Sequence, residues 1–243
     1  NNIANIYKNE QLYFELFQIL PAVLKSFHEI QISEHCLRSF FFSMRLDLEK
    51  FRYENFKQLE EYMFGSAEII GEVMFMIMEQ EYNDFELLDY AYSLGKAFQL
   101  TNFIRDIRED FEMKPSRIYI PVDEQEIYNV NLEEDIPKII NGTINYENFD
   151  NFKNLIKYQI ERCDKIYDFA QIGIQKLQDK KSIHLSKELY HSIHKKIIDN
   201  DYDVINNKCN LSFYEKIRIS YQLLGFTNIL YFIFNYIRYS YYF

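Results

Sequence analysis

One stretch, from Tyr90 to Pro121, constrains the fold more than any other: YAYSLGKAFQLTNFIRDIREDFEMKPSRIYIP. Ala97, Leu100, Ile104, Ile107 and Phe111 recur at intervals of three and four, which places them in one apolar stripe of an α-helix. Gly95, Gln99, Asn102, Asp106 and Asp110 occupy the opposite face. Residues four apart lie about one turn (~6 Å) from each other. Like charges at that spacing cost a helix a few tenths of a kcal/mol, so something must offset the Asp106–Asp110 repulsion. A divalent cation is one candidate and a nearby arginine is another. A solvated face normally mixes lysine with glutamate, whereas this one carries glycine, two amides and two aspartates, with Lys96 and Arg105 only at its edges. Oxygen donors of this kind suit Mg²⁺, which commonly takes one or two carboxylates plus substrate phosphates.

The rest of the chain reads as helices. Leu12, Leu16, Leu20, Leu24 and Phe27 mark a helix over Glu10–Phe27, with Pro21 as a possible kink. Ser33 is a plausible cap for a second, carrying Leu37, Phe40, Phe41, Met44 and Leu48. A third is expected over Glu54–Gln80, where Gly65, Ser66, Ala67 and Gly71 serve either close helix packing or room for a long apolar chain. The central helix is expected from Asn83 or Asp84 to Met113, stopped by Pro115. From Lys114 to Asp150 the periodicity weakens, and a long loop with short helical turns is expected, of the kind that forms lids. Further helices cover Phe149–Leu177 and Ile183–Asn200; His184, His191 and His194 lie near one face of the latter, where three histidines can bind a transition metal, but no acid partner or fixed geometry is visible and they read as surface histidines. Ile219–Ile237 has no charged residue and reads as a bundle-closing or interfacial helix, its tyrosines and Arg238 suited to a lipid boundary. There is no strand-like alternation of any length, so the expected class is all-α, a helical bundle around an apolar cavity.

Bulk properties narrow the function. A net charge of −10 with no basic stripe argues against nucleic acid. Cys36, Cys163 and Cys209 are odd in number and far apart, as reduced thiols in the cytosol would be. The chain opens Asn1-Asn2-Ile3 without a methionine, and its start is expected not to be the start of the protein.

AYSLGKAFQLTNFIRDIRED followed by SRIYIP resembles the second aspartate-rich motif of the squalene/phytoene synthase family, whose pattern is roughly LGxAxQLTNxxRDxxED…GRxYLP; Ser116 departs from the usual glycine. SMRLDL resembles the family's GMxxDL, with Ser43 for glycine and Asp47 at its aspartate, and SAEIIG resembles VAGxVG, with Glu68 at the middle glycine. Tyr190 stands twelve residues before Tyr202-Asp203-Val204, as a family tyrosine does before a similar segment. The resemblance runs from about Asn9 to Lys216. It implies the isoprenoid synthase fold, in one partial domain over residues 1–243 that lacks its N-terminal helices. It also implies head-to-head condensation of two prenyl diphosphates in carotenoid or isoprenoid biosynthesis. Asn102, Asp106 and Asp110 would hold Mg²⁺, with Arg105, Asp106 and Asp110 catalytic. Gln99, Arg105, Arg117, Tyr119 and Tyr190 would bind diphosphate or a reacting end. QLTN with RIYIP is closer to phytoene or dehydrosqualene synthases than to eukaryotic squalene synthases, so geranylgeranyl diphosphate is expected ahead of farnesyl diphosphate. The family's first aspartate-rich motif has no counterpart before Ser43, where no aspartate occurs. The alternative is therefore a non-catalytic, membrane-associated scaffold or assembly factor. A cytoplasmic protein, peripheral on a membrane at most, fits both.

Overall fold

The computed structural model describes residues 21–23, 25–78 and 85–225, and these are helical with no strand. The labelled helices are α1 (Glu34–Glu49), α2 (Phe56–Met63), α3 (Ile69–Met78), α4 (Phe85–Arg105), α5 (Ile107–Glu112), α6 (Val122–Ile127), α7 (Leu132–Ile140), α8 (Tyr146–Lys176) and α9 (Lys181–Asp199). Residues 25–30 and 213–225 are also helical. The expected helix over Glu10–Phe27 lies mostly outside the described residues, as does most of Ile219–Ile237. Among the described residues no helix is long and apolar enough to cross a membrane.

Caps set several of the starts. Ser33 Oγ accepts from the Cys36 N–H at 3.2 Å, Asn55 Oδ1 from Gln58 at 3.0 Å and Asn145 Oδ1 from Asn148 at 2.7 Å, each satisfying an N–H that the first turn leaves open. The expected helix over Glu54–Gln80 is divided: a π-helical turn, Phe64–Glu68, joins α2 to α3. Its wider turn rotates α3 relative to α2, and three of its five residues, Gly65, Ala67 and Glu68, are buried.

Helix α4 is the centre of the bundle, packed along its length on α8, against the π turn and α3 on another side, and across α9. Ala97, Leu100, Ile104 and Ile107 are all buried, as the apolar stripe predicts. They meet Leu155, Ile156, Ile160, Cys163 and Ala170 of α8 in one core. Each large side chain so buried contributes about 1.5–3 kcal/mol.

Residues 114–150 contain the expected short helices but do not form a lid. Ile118, Tyr119, Ile120, Val130, Leu132, Ile136 and Ile139 are core. The extended segment that precedes α6 runs beside residues 51–54: Ile118 N–H donates to the Phe51 carbonyl at 3.1 Å and Val122 N–H to that of Tyr53 at 2.9 Å. Buried Glu124 pairs with Arg162 of α8 and accepts from Gln159 at 2.7 Å. A segment held by that many buried groups is a wall of the bundle.

The π turn sits tightly on α1. A Cβ on Gly65 would fall 2.0 Å from the Ser39 carbonyl oxygen and 2.4 Å from Ser43 Oγ, and Ser43 is itself fixed by donating to the Tyr62 carbonyl at 2.8 Å. Gly65→Ala is therefore expected to destabilise the fold by about 1–3 kcal/mol through overpacking. Urea denaturation checks this, and an unchanged midpoint would show that α1 moves freely away.

Candidate functional site

The acids of the central motif do not lie on one unbroken helix. Helix α4 ends at Arg105, and Asp106 takes φ −101° and ψ 16° before α5 begins. The chain direction survives, because Asp106 N–H still donates to the Asn102 carbonyl at 2.9 Å and Asp110 N–H to that of Asp106 at 2.8 Å. The kink also frees Asp106 for its neighbour. Arg105 closes on it in a bidentate pair, with Nε donating to Oδ1 at 2.7 Å and Nη2 to Oδ2. One of the two candidates for offsetting the acid repulsion, an arginine, is thus present at Asp106.

Asp110 has no such partner. Burial, reinforced by the charge of Asp106 and only partly countered by Arg117, pushes its carboxyl up to about 7. Asn102 Oδ1 is buried with no hydrogen-bond partner, a state that costs about 1–3 kcal/mol unless a ligand relieves it. The orphaned amide oxygen and the under-compensated carboxylate stand two turns apart, with Asp106 between them, so the three residues offer oxygen donors only. These residues fit a hard divalent cation.

Arg117, the predicted diphosphate ligand, stands at the same end. Its Nη2 donates to the Asp47 carbonyl at 2.9 Å, and Nη1 lies 3.8 Å from the Asp47 carboxylate and 3.4 Å from Tyr119 Oη. Asp47 accepts from Tyr62 Oη at 2.9 Å, the structural role its position suggests. Tyr119 is mostly core: its ring stacks on Phe103 at 3.9 Å and faces Tyr62 at 5.8 Å. Only its hydroxyl is offered to the site, and burial pushes that phenol's pKa up.

A cavity of about 320 Å³ opens along the other side of α4. Gln99, Asn102 and Tyr190 line its polar end, and Leu87, Tyr90 and Met78 its far end. From Asn102 to Leu87 it follows α4 for fifteen residues, about 22 Å at ~1.5 Å per residue. Ala67, Ile70, Gly71 and Met74 all form its wall, with Met74 43% exposed, so the cavity is open along α3. Tyr190 packs on Phe98 with ring centres 4.3 Å apart. Glu68 does not face solvent as an outer residue would; it is buried against Lys96, at 3.0 Å, with 11% of its side chain exposed, and Lys96 also holds Glu60 at 3.2 Å.

The predicted residues thus separate into adjoining groups. Gln99, Asn102 and Tyr190 share the long cavity, whereas Asp110, Arg117 and Tyr119 do not line it. Arg105 and Asp106 line a second cavity of about 200 Å³ with Val204, Ile205 and Asn206. There Arg108 Nη1 donates to the Ile205 carbonyl at 3.2 Å. The sequence offers an arginine as one partner for the acids but not that Arg105 closes on Asp106, because the kink that allows it leaves no signature in residue spacing. Sequence reasoning missed Asp164, which meets His191 and His194 from α8. His184 stands apart from those two and faces Glu188 at 3.6 Å. The three cysteines are free and buried.

The Asp110 shift has a definite sign. Its folded carboxyl binds a proton up to about pH 7, against an ordinary 3.8, so between those values the native state holds more protons. The stability linked to this group is fully present below pH 3.8 and is lost as pH rises to about 7. Asp110→Asn is expected to raise the melting temperature in Mg²⁺-free buffer at pH 8 and to leave it nearly unchanged at pH 4. Thermal melts by circular dichroism at both pH values check this; equal shifts would show that Asp110 is not strained by its charge.

A family model for squalene/phytoene synthase matches residues 2–216. The phytoene synthase of Arthrospira platensis is 29% identical over 185 residues, covering 71% of this chain and 57% of that protein. A chloroplastic phytoene synthase from an Oncidium hybrid cultivar is 32% identical over 175 residues, covering 70% of this chain and 40% of that one. The chain therefore spans about half the length of the curated relatives it matches. Among solved structures, a dehydrosqualene synthase in complex with ligand superposes with TM-score 0.64 at 19% identity, over 78% of this chain and 63% of the other. Squalene synthase HpnC from Alicyclobacillus acidocaldarius does so with TM-score 0.65 at 18% identity, over 83% and 75%. Those two likenesses establish a shared fold.

Proposed function

Because the chain belongs to the squalene/phytoene synthase family, we propose that it binds a prenyl diphosphate with the tail along α4 and the diphosphate at the Asn102 end, and that the protein it represents condenses two such molecules head to head. The observation that carries this reading is the long apolar cavity whose polar end holds an orphaned Asn102 Oδ1. Asn102, Asp106 and Asp110 would hold Mg²⁺, which when bound neutralises a leaving diphosphate. Arg117 supplies fixed positive charge at the same end, and Gln99 offers an amide to diphosphate oxygens. The apolar walls from Phe98 to Met78 would bury one side of the isoprenoid tail. Tyr190, held against Phe98, closes the cavity where the reacting end would lie. Arg105 starts on Asp106 and would have to turn outward to meet a diphosphate. Relatives named as phytoene synthases support geranylgeranyl diphosphate as substrate ahead of farnesyl diphosphate.

The Arg105–Asp106 closure also favours a second reading, in which an internal cation has replaced the metal and the protein serves as a scaffold at a membrane. Turnover by the protein with the sequence upstream of Asn1 restored decides between the two. Mg²⁺-dependent release of diphosphate from geranylgeranyl diphosphate supports the enzyme, and tail binding without release supports the scaffold.

Two substitutions test the site. Asp106→Asn is expected to weaken Mg²⁺-dependent binding of an unreactive prenyl thiodiphosphate at least tenfold, about 1.4 kcal/mol, with the helical circular dichroism signal retained. Equal Mg²⁺-dependent calorimetric titrations for both proteins would remove Asp106 from the metal site. Ala67→Phe is expected to block the tail while sparing affinity for inorganic diphosphate. Met74→Trp repeats that test on the open rim, where a large ring costs less stability. If both only lower the melting temperature, the tail lies elsewhere.

A further inference from the structure

A second polar cluster lies where α8, α9 and α4 meet, and the proposed reaction does not use it. His191 and His194 are one turn apart on α9, and Asp164 faces them from α8. Asp164 Oδ1 is 2.6 Å from His194 Nδ1 and 3.2 Å from His191 Nε2. One ligand atom from each of the three residues lies within 4.8 Å of the others. The His194 side chain is 1% exposed, whereas those of Asp164 and His191 are 36% and 40% exposed, so the cluster is reached from solvent on one side.

His194 is gripped from both sides. Its Nε2 lies 2.9 Å from Thr101 Oγ1, which also stands 2.8 Å from Tyr167 Oη and 2.8 Å from the Ala97 carbonyl. Its Nδ1 lies 2.6 Å from Asp164 Oδ1. Thr101 has one hydroxyl proton, and two tautomers of His194 satisfy this geometry. With Nδ1–H on Asp164, Thr101 donates to Nε2. With Thr101 donating to Ala97, as helical threonines do, Nε2–H donates to Thr101 and the Nδ1 lone pair faces the carboxylate, an arrangement that a cation between them completes.

The geometry points to a metal ion: a borderline divalent cation of the Zn²⁺ type, held by Asp164 Oδ1, His191 Nε2 and His194 Nδ1. A proton on Nδ1 would satisfy His194 alone, yet His191 Nε2 converges on the same oxygen. An imidazolium at 1% exposure also carries a desolvation cost. Thr101 Oγ1, 2.9 Å from His194 Nε2, is placed to accept the outer hydrogen bond that orients metal-ligating histidines and fixes their tautomer. Two imidazoles and one carboxylate with an open side suit Zn²⁺ and not the all-oxygen preference of Mg²⁺. Ligands at ~2.0–2.1 Å on a tetrahedral ion stand about 3.3 Å apart. The His191 contact already has that spacing, and the half-exposed Asp164 has room to draw back from His194. Such an ion would fasten α8 to α9 across the turn of α4 that bears Thr101 and Asn102. It would also fix Tyr190, one turn before His194. The inference does not depend on the prenyl diphosphate reading.

The test uses the metals alone. Metal-free protein is titrated with Zn²⁺ by calorimetry and with Co²⁺ by visible absorption. One equivalent is expected to bind, with a ligand-field band for Co²⁺ and a raised melting temperature with Zn²⁺. His191→Gln and Asp164→Asn are expected to lower the affinity at least about 10–100-fold. Both positions are half exposed, and melts in a chelator check that each variant folds. Glu147→Gln, an exposed position outside both clusters, is expected to bind Zn²⁺ as the parent does. Three outcomes would overturn the proposal. One is unchanged binding in both cluster variants. Another is an unshifted melting temperature in Zn²⁺. The third is a His194 ring that carries both protons near pH 7 by ¹⁵N NMR in metal-saturated buffer.

Discussion

The close approach of α3 to α4 is the constraint on which the rest of the bundle depends. A Cβ on Gly71 would stand 2.2 Å from the Ala91 carbonyl oxygen, and one on Gly95 would stand 2.3 Å from that of Ala67. The two contacts are one turn apart and run in opposite chain directions, so they hold the helices antiparallel with backbones touching. A third glycine repeats the device on the other side, where a Cβ on Gly173 of α8 would meet Tyr90 Cβ at 2.2 Å. Small residues that let backbones touch put no side chains into the space beside the contact. That space is the cavity. Packing and room for an apolar chain, alternatives when the sequence is read alone, are here two results of the same residues.

Electrostatics then divides the polar end. An unbroken helix would present Asp106 and Asp110 as equivalent acids one turn apart. The kink at Asp106 removes the equivalence: one carboxylate is closed by Arg105 and the other is left with burial and its neighbour's charge. One answer to the repulsion expected from the spacing is thus visible, an arginine at Asp106; the other, a cation, belongs to the proposed function. The desolvation that makes Asp110 costly without a cation is what would strengthen its hold on one.

Part of this is legible in the chain. The three-four recurrence of Ala97, Leu100, Ile104 and Ile107 reports burial against a single partner face, a local property that periodicity captures. Resemblance marks Gln99, Asn102 and Tyr190, and the structure places all three on one cavity. Sequence and structure diverge where burial depends on distant residues. The stretch after Pro115 lacks helical periodicity because it is partly extended backbone beside residues 51–54, so its apolar side chains pack without a repeat. The motif assigns Tyr119 to substrate, yet its ring belongs to a stack with Phe103 and Tyr62. Asp164 cannot be matched with His191 and His194 from spacing, because it stands on a different helix. The π turn at Phe64–Glu68 changes the facing of α3 without any proline or break to announce it.

Thr101 and Asn102 show why α4 can serve as both core and site. The two are adjacent in sequence and point to different sides of the helix. Thr101 is fully buried and bonded to Ala97, Tyr167 and His194, which ties this turn of α4 to α8 and α9 at once. Asn102, on the next position, faces the cavity with its oxygen unpaired. An unsatisfied buried oxygen would normally be relieved by a small backbone or rotamer shift. Here the backbone that would have to move is held by its neighbour's three polar contacts. The strain is kept in place, and a donor stays aimed at the point where a ligand would need it. Preorganisation of this kind removes from binding the cost of ordering the donor, and α4 meets that requirement with two consecutive residues.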